Sequence, residues 1–284
     1  MTQKQISKYN SKIPPTWCKG CGNFGIFTAL KAAFAKLGFS PDDVCLTYDV
    51  GCSSNMADFL NTYGFHSLHG RTISTAIGLH LAHHQFPVIA IGGDGGIYGE
   101  GVEHLIEAAR GNFDITAIVH NNFLYSLTTG QKSPTAQKGS KTKSTPFGTL
   151  EVPFEGLKTA IIHDPSFVAR GYALEAAHLT NLIVKGVKTK GFSLIDVLQP
   201  CVTFNKKQTP DWFKKRVYKL KKDGYPKKEA LKILSQDPEK LAIGILYRSD
   251  RKAYHEHLPQ LKDKPLIKQS IEKIDIGKLI EEFI

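Results

Sequence analysis

Four of the five cysteines lie in short motifs whose residue types suggest a metal centre. Two occur in WCKGCG (residues 17–22), and the others are Cys52 in VGCSS and Cys201 in QPC. Four thiolates bind either a tetrahedral zinc ion or an iron–sulfur cluster, and on the residues alone zinc is favoured. A redox disulfide within the first pair would leave Cys52 and Cys201 unexplained. Cys45, inside the apolar run VCLTY, is interpreted as a small buried hydrophobic residue.

A second group of residues suits a diphosphate and a magnesium ion. GGDGG (92–96) contains GDG, which is followed after 25 residues by the pair Asn121–Asn122. Asp94 offers a carboxylate oxygen and Asn122 an amide oxygen, the hard ligands that Mg²⁺ prefers. The glycines leave backbone N–H groups open to an anion at the start of a helix. Neither G-x-G-x-x-G in a suitable context nor G-x-x-x-x-G-K-[ST] is present. Taken singly, each motif is also compatible with a plain turn.

Apolar runs alternate with helix-like segments and predict the elements that position these residues. The predicted strands are 44–50, 87–94, 114–121 and 192–199, and the predicted helices are 22–37, 72–85, 100–110 and 166–189. The alternation indicates an α/β fold, with a mainly parallel central sheet and helices on both faces. Ligands of such sheets bind beyond the carboxyl ends of the strands. GCSS, GDGG and NNFLYSLT each follow a predicted strand, so we expect them to meet at that edge.

Composition narrows the class of protein. The chain has 284 residues, of which 41% are apolar and 22% charged, as in ordinary globular proteins. No apolar run approaches the roughly 20 residues that cross a bilayer, and the N-terminus lacks the apolar segment of a secretory signal. We therefore expect a cytoplasmic protein with reduced thiols and no membrane association.

The chain is predicted to divide near residue 205. Residues 1–205 form the predicted binding domain, within which the Ser-, Thr-, Gly- and Lys-rich segment 126–154 is expected to be a functional or disordered loop. Residues 206–284 form a basic, partly helical C-terminal extension with 20 Lys and Arg against 12 Asp and Glu. No recognised nucleic-acid reader motif accompanies this charge, so nucleic acid is not expected as a partner.

Taken in order, the motifs resemble one enzyme family. GDG-x25-NN resembles the diphosphate signature of thiamine diphosphate enzymes. The series WCKGCG, YDVGCSS, LHGR, GDGG, VHNNFLYSLTTGQKSPT and QPC resembles the β subunit of 2-oxoacid:ferredoxin oxidoreductases. The resemblance runs from about Trp17 to about Asn205. It implies a thiamine diphosphate-binding fold and one [4Fe–4S] cluster, whose ligands are Cys18, Cys21, Cys52 and Cys201.

The resemblance also implies roles for the residues around the cofactor. Asp94, Asn122 and the main-chain oxygen of Leu124 would bind Mg²⁺. His69, in LHGR, would lie near the diphosphate as a hydrogen-bond donor. The other residues expected to contact thiamine diphosphate are Val50, Gly51, Cys52, Ser53, Gly95, Gly96, Ser126 and Leu127.

The implied reaction is the oxidative decarboxylation of a 2-oxoacid to an acyl-CoA and CO₂. Two electrons would leave one at a time through the cluster to ferredoxin, a separate protein, and coenzyme A would take up the acyl group. Because the chain has room for only one cofactor-binding domain, the carboxylate that activates the aminopyrimidine ring is expected on an α (or fused γ–α) subunit. The alternatives are a cluster-free thiamine-dependent decarboxylase or synthase subunit and a zinc-stabilised, basic nucleic-acid-binding protein.

Four positions depart from the family pattern. The family more often has Pro at Lys19, Asp at Gly96 and Gly at Ser126. Some members have Lys at the position of Asn55, thought to meet a distal carboxylate, so its absence favours pyruvate over 2-oxoglutarate. Arg71 or a group on the partner subunit is the alternative source of that cation.

Overall fold

The four apolar runs form the centre of a single large sheet in the computed structural model, which describes residues 6–237, 239–272 and 276–284. Ile118 faces one core while Ala117 and Val119 face the other, as the two-residue period of a strand requires. The strands of this sheet are β1 (Cys45–Tyr48), β2 (Tyr63–His66), β3 (Val88–Gly93), β4 (Thr116–Asn121), β7 (Phe167–Tyr172), β8 (Ser193–Leu198), β9 (Val217–Lys219) and β10 (Leu241–Arg248). Two further strands, β5 (Leu124–Tyr125) and β6 (Gln131–Lys132), form a small antiparallel hairpin.

The eight strands of the large sheet lie in the order β2-β1-β3-β4-β8-β7-β10-β9. All neighbouring strands pair in parallel except β7 and β10, which are antiparallel. The residues of β4 and β8 are all buried, because helices cover both faces of the sheet at its centre. The predicted α/β fold is therefore confirmed.

Several helices cover the two faces of the sheet in separate layers. In chain order, the helices of the described residues are α1 (Asn23–Leu37), α2 (Met56–Phe59), α3 (Thr72–Ala82), α4 (Val102–Gly111), α5 (Gly156–Ile162), α6 (Ala176–Lys188), α7 (Pro210–Arg216), α8 (Lys227–Leu234) and α9 (Gly277–Glu281). On one face α1 packs against α6 through side chains such as Leu30 and Leu182. On the other face α3, α4, α5 and α8 bury residues such as Leu105 and Ile161. Each fully buried Leu or Ile contributes about 1.5–3 kcal/mol to folding.

The predicted helix 166–189 is wrong in its first part. Residues 167–172 form strand β7, and only 176–188 are helical. FVARGY is a short apolar run that is buried between β8 and β10, and a run of this length carries no periodicity that separates a strand from a helix. The other predicted helices and the four predicted strands agree with the structure within a few residues at their ends.

Residues beyond 205 supply strands as well as helices. The partly helical character that was predicted for this region is present in α8, but β9 and β10 join the large sheet next to β7. The apolar run LAIGILYR forms β10, six of whose eight residues are buried. The boundary at 205 stays a prediction. In the described part of the chain, no helix is both long and apolar enough to cross a membrane.

Candidate active site and metal centre

The parallel strands β1, β3 and β4 end at the same edge of the sheet, and a cleft lies there. The segment after each strand lines the cleft, together with His69 from the loop before α3. All nine predicted cofactor-binding residues line it, namely Val50, Gly51, Cys52, Ser53, His69, Gly95, Gly96, Ser126 and Leu127. The predicted magnesium ligands Asp94, Asn122 and Leu124 line the same cleft. The fold thus brings together residues that are up to 77 positions apart, from 50 to 127.

Asp94 is a buried carboxylate at the end of β3. Its Oδ2 accepts hydrogen bonds from the hydroxyls of Ser133 and Thr135, both at 2.5 Å, and its Oδ1 lies 3.4 Å from the backbone N of Asn122. Burial raises the pKa of Asp94 to about 6, and the carboxylate of Asp196 adds to this rise. An ionised carboxylate in this position gains more from a cation than one that water already solvates.

Asn122 is held at the end of β4 by a strained turn. Phe123 has a φ of +66°, an uncommon value for a residue with a side chain. This turn lets Oδ1 of Asn122 accept hydrogen bonds from Leu124 N at 3.1 Å and from Ser126 Oγ at 3.0 Å. The Phe123 ring stacks on Phe213 at 6.1 Å, a contact that offsets part of the strain.

Glycine at position 95 leaves room for the ring of Tyr125. A Cβ atom at this position would lie 2.3 Å from the ring of Tyr125, so only glycine fits without a shift of the ring. The Tyr125 hydroxyl donates to Glu100 Oε1 at 3.0 Å, and the Tyr125 ring lies 6.0 Å from that of His69. The glycines of GGDGG therefore let side chains from neighbouring loops pack against the turn.

His120, which lines the cleft from β4, was not identified from the sequence. It is buried, its Nδ1 lies 2.9 Å from Oδ1 of Asn23, and its Nε2 has no hydrogen-bond partner among the described residues. Burial lowers its pKa to about 3, so the imidazole is neutral. Ser133 and Thr135, the partners of Asp94, were also not identified from the sequence; the segment that contains them was expected to be a functional or disordered loop.

The four predicted cluster cysteines line a second cavity, at the ends of β1 and β8. Cys18, Cys21, Cys52 and Cys201 all contribute to its wall, whereas Cys45 does not. Burial raises the pKa of Cys21 and of Cys52 to about 11, and the neighbouring cysteines add to both rises. These thiols must lose their protons on binding a metal, because the thiolate is the ligand.

Hydrogen bonds tie together the three loops that carry these cysteines. The main-chain oxygen of Cys52 accepts from Trp17 Nε1 at 2.7 Å and from Asn23 Nδ2 at 3.2 Å. The backbone N of Gly22 donates to the Pro200 oxygen at 3.1 Å, which joins the first cysteine loop to QPC. The cavity walls are therefore held in place by the protein itself.

The two cavities adjoin. They share Cys52, Asn122, Ser126 and Leu127 as common wall residues. Beside this wall, Gln199 Oε1 accepts a hydrogen bond from Asn122 Nδ2 at 2.8 Å, and Gln199 Nε2 donates to Cys21 Sγ at 3.3 Å. One side chain thus contacts a residue of each predicted metal site.

Comparison with known families identifies the cleft. Residues 49–197 match the family described as thiamine pyrophosphate enzyme, C-terminal TPP binding domain. Residues 201–263 match the family that describes the C-terminal part of the pyruvate ferredoxin oxidoreductase β chain. The first match runs from the end of β1 into β8 and includes every segment that lines the cleft. Fold and cleft together therefore define a thiamine diphosphate-binding domain.

Whole-chain relatives narrow this class. The chain is 37% identical to 2-oxoacid:ferredoxin oxidoreductase 1, subunit beta, of Aeropyrum pernix, over 99% of this chain and 94% of the relative. It is 47% identical to 2-oxoacid:ferredoxin oxidoreductase subunit beta of Saccharolobus solfataricus, over 73% of this chain and 68% of the relative. The protein belongs to the β subunits of the 2-oxoacid:ferredoxin oxidoreductases, enzymes that couple the oxidative decarboxylation of 2-oxoacids to ferredoxin.

A solved structure agrees with this assignment. The 2-oxoglutarate:ferredoxin oxidoreductase of Magnetococcus marinus, determined with 2-oxoglutarate, coenzyme A and succinyl-CoA bound, superposes with a TM-score of 0.91 at 29% identity. The superposition covers 99% of this chain and 97% of that one. The C-terminal strands and the cysteine loops thus belong to an architecture that is common to both proteins.

Proposed function

We propose that this β subunit holds a [4Fe–4S] cluster on Cys18, Cys21, Cys52 and Cys201, next to a magnesium-bound thiamine diphosphate. The observation that carries the proposal is the wall common to the two cavities, to which Cys52 contributes. The cluster cavity offers four thiol sulfurs, and no His, Asp or Glu is found among its described lining residues. Four thiolates in a preformed cavity fit an iron–sulfur cluster, and they also fit zinc, so the test below distinguishes the two.

Asp94, Asn122 and the main-chain oxygen of Leu124 would hold the magnesium ion. Asp94 fits this role because its buried Oδ1 is engaged only by the 3.4 Å contact with Asn122 N among the described residues. Asn122 fits after one rearrangement, since the hydroxyl of Ser126 now donates to its Oδ1. Carboxylate, amide and carbonyl oxygens are ligands that suit Mg²⁺.

The chain's own residues orient the reaction. When bound, thiamine diphosphate supplies the carbanion chemistry of decarboxylation, and the cluster accepts electrons singly. Asp94 and Asn122 fix the diphosphate end, and the hydrogen bonds of Trp17 and Asn23 to Cys52 fix the loop between the two groups. Val50, exposed at the mouth, and Leu127 present apolar surface that excludes water once the site is covered.

A partner subunit would complete the site. We expect an α (or fused γ–α) subunit to cover the mouth of the cleft and to supply the carboxylate that activates the aminopyrimidine ring. Asp94 would bind the metal and accepts hydrogen bonds from two hydroxyls, so its carboxylate is unsuited to activating the aminopyrimidine ring. Ferredoxin would receive the electrons and coenzyme A would receive the acyl group.

Pyruvate is the substrate that we propose. No Lys or Arg is found among the described residues that line either cavity. Position 55, on the wall of the cluster cavity, is Asn. Arg71 is engaged elsewhere, since its Nη1 lies 2.6 Å from Glu103 Oε1. Within the described part of the chain, neither cavity therefore has a Lys or Arg in its wall to meet the distal carboxylate of 2-oxoglutarate.

The test is an anaerobic absorption and EPR spectrum of the chain co-expressed with its partner subunit. We expect the broad visible band of an iron–sulfur cluster to bleach on addition of pyruvate and coenzyme A, with a new paramagnetic signal. A response to 2-oxoglutarate alone would keep the family and overturn the proposed substrate. Colourless protein that contains zinc without iron would overturn the proposed electron transfer.

A further inference from the structure

Asp49 is a buried carboxylate behind the cofactor cleft that has no role in the function proposed above. It follows β1 and has no solvent-exposed surface. Its Oδ1 accepts a hydrogen bond from Gly70 N at 2.7 Å, while its Oδ2 has no partner among the described residues. Burying a carboxylate that is half unpartnered is costly, so a compensating interaction is expected.

The Asp49 side chain fills the space that a side chain at position 96 would occupy. A Cβ atom on Gly96 would lie 1.4 Å from Asp49 Oδ2 and 2.6 Å from its Cγ. No side chain is therefore compatible with position 96 while Asp49 keeps this conformation. Acidic side chains at 49 and 96 would place their carboxylates in the same volume, so the fold admits one of them.

The carboxylate of Asp49 faces His69. The Nδ1 atom of His69 lies 3.6 Å from Asp49 Oδ1 and 3.5 Å from Glu100 Oε2. This nitrogen is buried and, among the described residues, is within ion-pair distance of the two carboxylates without a hydrogen bond to either. The side chain as a whole is 36% exposed, so the exposed part of the ring includes the opposite edge with Nε2. When the ring is protonated, both of its nitrogens are donors: Nδ1–H then faces the two carboxylates, and Nε2–H is free to donate to an anion.

We propose that Asp49 is the positioning residue for His69. We also propose that position 96 is glycine because the carboxylate of Asp49 fills the space that an acidic side chain at position 96 would occupy. Asp49 acts behind the histidine and does not touch the cofactor. With Asp49 in place, His69 presents a donor to the diphosphate; without it, the ring loses the partner that fixes its orientation. The proposal rests on the thiamine diphosphate site of the proposed function.

The test removes the carboxylate from position 49 or transfers it to position 96. Thiamine diphosphate binding in the presence of Mg²⁺ is measured by calorimetry on the complex with its partner subunit, for Asp49→Ala, Gly96→Asp and the double variant. We expect about 10- to 100-fold weaker binding for Asp49→Ala, the range for the loss of an outer carboxylate that orients a ligand-binding histidine. Gly96→Asp is expected to bind weakly or to fold poorly. The double variant is expected to regain at least half of the lost free energy of binding.

A second cycle tests whether Asp49 acts through His69. Asp49→Ala is compared in the wild-type and His69→Gln backgrounds, and the effect is expected to be less than threefold in the second, because the residue that it positions is gone. Asp49→Asn, which keeps the size and removes the charge, is expected to bind as weakly as Asp49→Ala. Cluster absorption and the unfolding midpoint serve as controls for folding.

Wild-type affinity in Asp49→Ala would overturn the proposal, and so would a double variant that binds no better than Asp49→Ala. An equal effect of Asp49→Ala in both backgrounds would likewise reduce Asp49 to a packing residue. Failure of the wild-type complex to bind thiamine diphosphate would instead refute the proposed function itself, so the two failures are distinguishable.

Discussion

Gln199 donates a hydrogen bond to Cys21, with 3.3 Å between Nε2 and Sγ. Through its Oε1 the same amide accepts from Asn122, a predicted magnesium ligand. Gln199 is almost fully buried, so neither contact is weakened by bulk water. The amide therefore couples the position of a cofactor ligand to the electrostatics of a cysteine sulfur.

Replacing Gln199 by Leu should lower the reduction potential of the cluster. An N–H group directed at a cluster sulfur stabilises the reduced, more negative state, and its loss removes that stabilisation. The value of one hydrogen bond corresponds to about 20–60 mV for a one-electron couple. The potential is measured by EPR-monitored titration. Gln208→Leu, which removes a buried amide that bonds to Gln137, is the matched control and should leave the potential unchanged.

Cys52→Ser should abolish the cluster, whereas Cys45→Ser should retain it. Cys52 lines the thiol cavity, while Cys45 lies within β1 and lines neither cavity. Iron content and visible absorption are measured on anaerobically purified complexes. Loss of iron from Cys45→Ser, or full iron in Cys52→Ser, would contradict the ligand assignment.

Asp94→Asn should stabilise the metal-free chain while abolishing magnesium-dependent cofactor binding. A folded-state pKa of about 6 lies above the ordinary value of 3.8. The ionised form therefore costs the folded state about 3 kcal/mol at neutral pH. Because the folded pKa is raised, wild-type stability should fall as pH increases from about 4 to about 6 and stay level above that.

Urea unfolding of the full chain, without Mg²⁺ and cofactor, measures this effect. Asp94→Asn should show a gain of about 1–3 kcal/mol at pH 7, reduced by the imperfect hydrogen bonds that an amide forms with two hydroxyl donors. The gain should vanish near pH 4, which is the internal control. A loss of stability at pH 7 would show that the hydroxyl donors outweigh burial.

Ser126→Ala should tighten magnesium binding several-fold. The Ser126 hydroxyl occupies one of the two lone pairs of Asn122 Oδ1, and this hydrogen bond must break before the amide binds a metal. Removing this hydrogen bond lowers the free-energy cost of magnesium binding by about 0.5–1.5 kcal/mol. The Mg²⁺ dependence of thiamine diphosphate binding is the measurement. Thr128→Ala, on the same cleft wall but without a contact to Asn122, is the control; weaker binding in Ser126→Ala would assign the hydroxyl to the cofactor instead.

The proposed ligand residues could be selected from the sequence because each is carried by a local motif. Cys18, Cys21 and Asp94 stand in short Gly-bearing stretches, and parallel topology alone brings the ends of β1, β3 and β4 together. Ser133 and Thr135 were not predictable in the same way. Nothing in their neighbours along the chain indicates that the loop folds back onto Asp94.

The missed strands have a similar explanation. The four residues of β2 are all exposed at the sheet edge, and a stretch of four residues is too short to establish a period. FVARGY and LAIGILYR become strands because β7 and β10 pair with each other, a contact between segments about 75 residues apart in the chain. The proposed role of Asp49 was not predictable for the same reason, since it depends on the contact between Asp49 and the space beside Gly96.

The hydrogen bond from Gly22 to Pro200 has a consequence for how the protein is made. The first two cysteines leave the ribosome early, but the loop that closes their cavity is synthesised only when about two thirds of the chain has emerged. A nascent chain therefore carries an open pair of thiols for most of translation. Insertion of the proposed cluster therefore has to wait until the loop with Cys201 has been made, in the last third of synthesis or later.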